Sequence, residues 1–86
     1  MNENDLIPSK SHLQWQCRRG LLELDEVFLE FLEQHFDELP DHQKHEFVEL
    51  LKYPDPDLQQ WILLNAEPPD IPSVKNIISI IHSKFG

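Results

Sequence analysis

LELDEVFLEFLEQHF, residues 22–36, decides the fold class. Leu24, Val27, Phe28, Phe31, Leu32 and His35 recur at the i, i+3, i+4, i+7, i+8, i+11 positions that share one face of an α-helix. Glu23, Glu26, Glu30, Glu33 and Asp37 fill the opposite side. The stretch therefore predicts an amphipathic helix from Leu22 to Phe36 with its apolar stripe turned toward a core.

Upstream lies Gln16-Cys17-Arg18-Arg19-Gly20, which holds both arginines of the chain and its only glycine apart from Gly86. A first helix is expected from Ser9 to Arg19, with Leu13 and Cys17 four residues apart on its inner side. Arg18 and Arg19 then fall in its last turn, where cations suit the helix dipole. Gly20 becomes the C′ residue, free to take positive φ. Downstream, prolines divide the chain. Phe47, Val48, Leu50 and Leu51 mark a third helix from Asp41 to Lys52. Asp55 is expected as N-cap and Pro56 as N1 of a fourth, where the missing N–H costs nothing. Leu58, Trp61, Ile62 and Leu64 follow. Glu67-Pro68-Pro69-Asp70 reads as a stiff linker. A fifth helix starts at Pro72 or Ser73, with Val74, Ile77, Ile78, Ile81 and Phe85 on one face. Asn-Gly and Asp-Gly hairpin signals are absent. The expected architecture is all-α, a compact bundle of five short helices in a single domain, residues 1–86, with residues 1–8 as a flexible lead.

At 86 residues, such a domain buries roughly 60–65% of the surface its unfolded chain exposes, enough for a small core but not for a deep pocket. A surface that touches a larger molecule fits this size better than an enclosed active site. The net charge is −9, from 16 acidic and 7 basic residues. Such a surface repels phosphate backbones and anionic lipid, which disfavours nucleic acid and membrane as partners. No apolar run approaches the 18 or so residues of a membrane span. The N-terminus lacks the basic and apolar regions of a signal peptide, so the expected location is the cytoplasm.

Cys17 is the only cysteine, which excludes an internal disulfide and a four-cysteine zinc site. Its place near a helix C-terminus raises rather than lowers a thiol pKa, so it reads as a core residue and not a nucleophile. His42 and His45 stand at i, i+3, but no third ligand of suitable spacing accompanies them, and no metal site is expected. No nucleophile elbow, glycine-rich phosphate loop or zinc-protease motif is present. Trp15 and Trp61 read as core or rim. What remains is the junction at residues 16–26. Arg19 offers a planar fork for a carboxylate or phosphate, Gly20 permits close approach, and Glu23 stands four residues on. An arginine preceding a glutamate is the weaker order for a helix pair, which leaves both available to a partner.

Trp15-Gln16-Cys17-Arg18-Arg19-Gly20-Leu21-Leu22-Glu23-Leu24-Asp25 resembles the signature of the SdhE family, whose hallmark R-G-x-x-E falls here on Arg19, Gly20 and Glu23. Asp55-Pro56-Asp57-Leu58 with Trp61 extends the likeness, which covers roughly Lys10 to Ala66. The resemblance implies a non-enzymatic assembly factor that binds the flavoprotein subunit of succinate dehydrogenase, and of fumarate reductase in some bacteria. It promotes covalent attachment of FAD to a histidine of that partner. On this reading Arg18, Arg19, Gly20, Glu23 and Asp25 form the partner-binding set. Arg19 engages an acidic group, Glu23 a basic one, Arg18 adds charge at the rim, and Asp25 supports the turn. No FAD is held stably by the factor itself, which acts as a monomer. The alternative is an antitoxin-like regulator of the CptB type that works without a flavoprotein.

Overall fold

A computed structural model describes residues 7–85. Residues 1–6, most of the expected flexible lead, lie outside the described residues. Of the remainder of that lead, Ile7 packs against the core.

The described residues form α1 (Lys10–Cys17), α2 (Leu22–Gln34), a 3₁₀ turn (Phe36–Glu38), α3 (Asp41–Leu50), α4 (Asp55–Leu58) running on into a π-helical turn (Gln59–Leu63), and α5 (Pro72–Phe85). This is the all-α, five-helix architecture. The first helix lies against α2 and α3 lies against α5, while the π-helical turn bridges α2 and α5.

The core follows from the apolar stripes. Leu24, Phe28, Phe31 and Leu32 of α2 are fully buried, and Val74, Ile77, Ile78 and Ile81 of α5 are buried opposite them. Phe47 of α3 sits among three other phenylalanines, with ring centroids 6.1 Å from Phe28, 5.1 Å from Phe31 and 5.5 Å from Phe36. Edge and tilted contacts of this kind add to what burial of the rings contributes. No polar or charged residue is buried among the described residues.

Element boundaries depart from the sequence expectation where tertiary contacts intervene. The first helix stops at Cys17, because the Arg18 amide donates to the Trp15 carbonyl and Arg18 turns extended. Both arginines therefore lie beyond the last turn, and Gly20 is two residues past the C-cap rather than at C′. Its φ of +80° is nevertheless positive, as expected. The second helix ends at Gln34, and Phe36 reaches the core from the 3₁₀ turn. The third ends at Leu50, short of Lys52. At α4 the N-cap is Pro54 and Asp55 is already helical. The Asp55 carboxylate does not cap the helix, because it is engaged elsewhere.

The π-helical turn was not legible. The Leu64 amide donates to the Gln59 carbonyl five residues back, at 3.1 Å. The added residue shifts the phase of the inner face, so Leu63 packs against the core and Leu64 is 60% exposed. Asn65 closes the turn with φ 56°, in the left-handed region that asparagine tolerates.

Cys17 is fully buried and free. Burial pushes its thiol from 9.0 up to about 12; nearby Arg19 opposes the rise and Asp25 adds to it. The folded state thus keeps a proton that the unfolded chain releases above pH 9. Stability is then expected to fall with rising pH by about 1.4 kcal/mol per unit across this window. Urea titrations at successive alkaline pH values check this. The slope should flatten in Cys17→Ala, and an unchanged slope would assign the alkaline loss to other groups.

Candidate functional site

The turn between α1 and α2 is built around Arg19. Its backbone amide donates to the Asp25 Oδ1 at 2.6 Å, which ties the turn to the first turn of α2. Its side chain, only 15% exposed, points inward. The Nε donates to Asp55 Oδ1 at 2.7 Å. One terminal nitrogen, Nη1, donates to the carbonyls of Gln16 at 2.9 Å and Leu51 at 2.7 Å. The other, Nη2, donates to the Tyr53 carbonyl at 2.8 Å. Four of the five guanidinium N–H groups are thereby used.

Each acceptor has a reason to be there. Helices leave their last carbonyls without intrahelical partners, and Gln16 at the end of α1 and Leu51 at the C-cap of α3 are of this type. A cation at those ends is also favoured by the helix dipoles. Asp55 supplies the compensating charge. One planar fork thus closes two helix ends and pins the start of a third, which a lysine's single ammonium cannot do.

Arg19 was expected to engage an acidic group of a partner; in this structure its fork is engaged within the chain. Asp25 does support the turn, through its bond to the Arg19 amide. The other three residues face outward. Arg18 is exposed, and its guanidinium makes no hydrogen bond or ion pair among the described residues. It borders a groove between α1 and α2 together with Gln14, Glu26 and Glu30. Gly20 is exposed, and a Cβ built there would meet nothing within 4 Å, so only its positive φ selects glycine. Glu23 is exposed on the first turn of α2 and does not pair with Arg19.

Two apolar residues flank this face. Leu22 is 71% exposed and Trp15 is 75% exposed. The expectation of a core or rim Trp15 fails because Leu13 and Cys17 occupy the inner side of α1, and a residue midway between them points outward. Trp61 does pack, edge-on against Tyr53 at 5.2 Å. Sequence reasoning missed the partnership of Arg19 with Asp55. The one available signal was the use of arginine rather than lysine, since the fork is what multiple acceptors need. No group of three or more metal-ligating side chains occurs among the described residues, and no helix there is long and apolar enough to cross a membrane.

A family model described as the flavinator of succinate dehydrogenase matches residues 11–84. The chain belongs to this SdhE/Sdh5 family. It is similar to the FAD assembly factor SdhE of Pectobacterium atrosepticum, 42% identical over 78 residues that cover 91% of this chain and 88% of that protein. The SdhE of a Serratia species is 38% identical over the same coverage, and that of Vibrio vulnificus is 46% identical over 54 residues, 63% of each chain. Within the SdhE signature the geometry thus divides labour: Arg19 turns inward, whereas Gly20 and Glu23 face solvent.

Arg19→Ala is expected to destabilise the fold by about 3 kcal/mol, because it strips charged hydrogen bonds from poorly exposed carbonyls and leaves Asp55 without its cation. Arg19→Lys should recover less than half of that loss. Equilibrium denaturation checks both, and full recovery by lysine would mean that charge alone matters. Gly20→Ala should cost about 1 kcal/mol, from the positive φ and not from any clash.

Proposed function

We propose that this chain binds the flavoprotein subunit of succinate dehydrogenase and promotes covalent attachment of FAD to it, with the corresponding subunit of fumarate reductase as a further client. The observation that carries this is the flavinator family match across residues 11–84, a span that includes the whole Arg18–Asp25 turn. The size and surface of the domain support an assembly role rather than an enzyme with catalytic residues of its own.

The docking face consists of Arg18, Gly20, Leu22 and Glu23, with Trp15 beside it. Gly20 presents bare backbone, so a partner surface can approach without meeting a side chain. Arg18, not Arg19, is the cation that meets a carboxylate of the partner, and Glu23 meets a cation. Leu22 and Trp15 supply apolar area; exposed tryptophan is the kind of residue that anchors interfaces. Asp25 and Arg19 hold the turn that displays these groups. FAD, which supplies an electrophilic flavin methyl carbon, belongs to the partner, as does the histidine that becomes its attachment point. The net charge of −9 opposes independent capture of a pyrophosphate by this chain. What the factor contributes is alignment of groups that the partner already carries, and fixed orientation of this kind lowers a barrier by several kcal/mol. It acts as a monomer in the cytoplasm.

The test is covalent flavin in the partner. The flavoprotein subunit is expressed in cells lacking the factor, with the natural chain, Gly20→Arg or Arg18→Glu added back. Flavin fluorescence of the denatured subunit is then read in a gel. The natural chain should restore the signal, and each variant, folded by circular dichroism, should lower it about tenfold. Full restoration by folded Gly20→Arg would move the docking face elsewhere on the bundle. Failure of the natural chain would sink the proposed function.

A further inference from the structure

Within the docking turn Leu21 packs against the core, while Gly20 touches nothing within 4 Å where a side chain would be, and Arg18, Leu22 and Glu23 are all exposed. Two polar anchors add to Leu21 in orienting it. One is local, the Asp25 carboxylate on the Arg19 amide. The other is remote: the Arg19 side chain reaches acceptors 32, 34 and 36 residues away, at Leu51, Tyr53 and Asp55. Two of these three acceptors are backbone carbonyls. Asp55 is the only one that is a side chain, and the only one that carries a compensating charge.

We infer that Asp55 is a positioning residue for the docking turn, resting on the assignment of that turn to partner binding. Its carboxylate holds the guanidinium in the seam between α1 and the loop joining α3 to α4. The held guanidinium in turn fixes where residues 18–23 stand. Without Asp55 a poorly exposed cation loses its counter-charge. The guanidinium then relaxes toward water, and the turn loses its polar tie to the loop joining α3 to α4. The helical core need not respond, because Phe28, Phe31, Phe47 and Ile77 lie fully buried and make their contacts independently of this seam. Asp55 thus acts on the partner through Arg19 without itself belonging to the docking face. Pro54 and Pro56 on either side of Asp55 restrict the backbone there, so its carboxylate is presented with little freedom to lose.

The experiment uses the full chain and the purified flavoprotein subunit. Asp55→Ala and Asp55→Asn are compared with the natural protein and with Asp57→Asn, an exposed neighbour that makes no contact with Arg19. Three quantities are measured at a temperature where circular dichroism shows each variant folded: affinity for the subunit by calorimetry, hydrogen exchange at the Arg19 amide, and exchange at the amides of Ile77 and Ile78. Both Asp55 variants should bind about tenfold more weakly, with exchange at the Arg19 amide accelerated by more than any change that lowered global stability brings to α5. Asp57→Asn should match the natural chain in all three. Should Asp55→Ala fail to fold, Asp55→Asn, which keeps the shape and one acceptor oxygen, decides alone. Unchanged affinity with a lowered melting temperature would reduce Asp55 to a stabilising role and overturn the inference. Weaker binding with undisturbed protection at Arg19 would also overturn it, by placing Asp55 in contact with the partner. Failure of the natural chain to bind the subunit would instead strike the docking assignment, and the inference with it; the Arg19 exchange rates would still report whether Asp55 orders the turn.

Discussion

The guanidinium of Arg19 is the constraint on which the arrangement of helix ends depends. The end of α1, three residues away, and the end of α3 and start of α4, 32 to 36 residues away, converge on one planar group. Helix ends are costly to bury because their backbone groups have lost water without gaining partners. In a domain this small, short helices have many ends relative to their length, and most cannot be sealed by packing alone. A single delocalised cation with several fixed donors serves two carbonyl-bearing ends and a carboxylate at once. The hydrophobic core determines that α2, α3 and α5 pack together. The polar seam determines how the first turn-forming segment is set against them.

This arrangement explains why adjacent arginines have opposite fates. The backbone is extended at Arg18, and successive side chains on extended backbone point to opposite sides. Once Arg19 is directed into the seam, Arg18 is directed to solvent. Inward and outward roles are therefore coupled by backbone geometry. A chain that used both arginines for recognition would leave the ends of α1 and α3 open.

Much of the fold was legible from periodicity. The stripes of α2 and α5 are long enough to specify both helix and inner face, and the prolines at 40, 54 and 72 mark where α3, α4 and α5 begin to within a residue. Helix ends were less legible: α1 stops at Cys17, where the Arg18 amide turns back to the Trp15 carbonyl, and Asp55 is denied a capping role by its bond to Arg19, 36 residues away. The π-helical turn carried no signal in the residue pattern: it changes the residue count per turn, which sets Leu63 against the core and Leu64 toward solvent. In the α1–α2 turn, residue types anticipated the positive φ of Gly20 and the bond of Asp25 into the turn, but not which arginine faces inward. Trp15 and Trp61 make the same point. Identical side chains took opposite environments because position on a helix face, and not residue type, decides exposure.

The burial of Cys17 has a chemical consequence for a protein with only one sulfhydryl. Attack by peroxide requires both a thiolate and a path to it, and the sealed end of α1 withholds both. While folded, the chain offers no sulfur for sulfenic acid formation, for glutathione capture or for a mixed disulfide with another molecule. If, as proposed, the chain works beside flavin, whose reduced form generates peroxide from oxygen, burial would keep this one thiol in its reduced form.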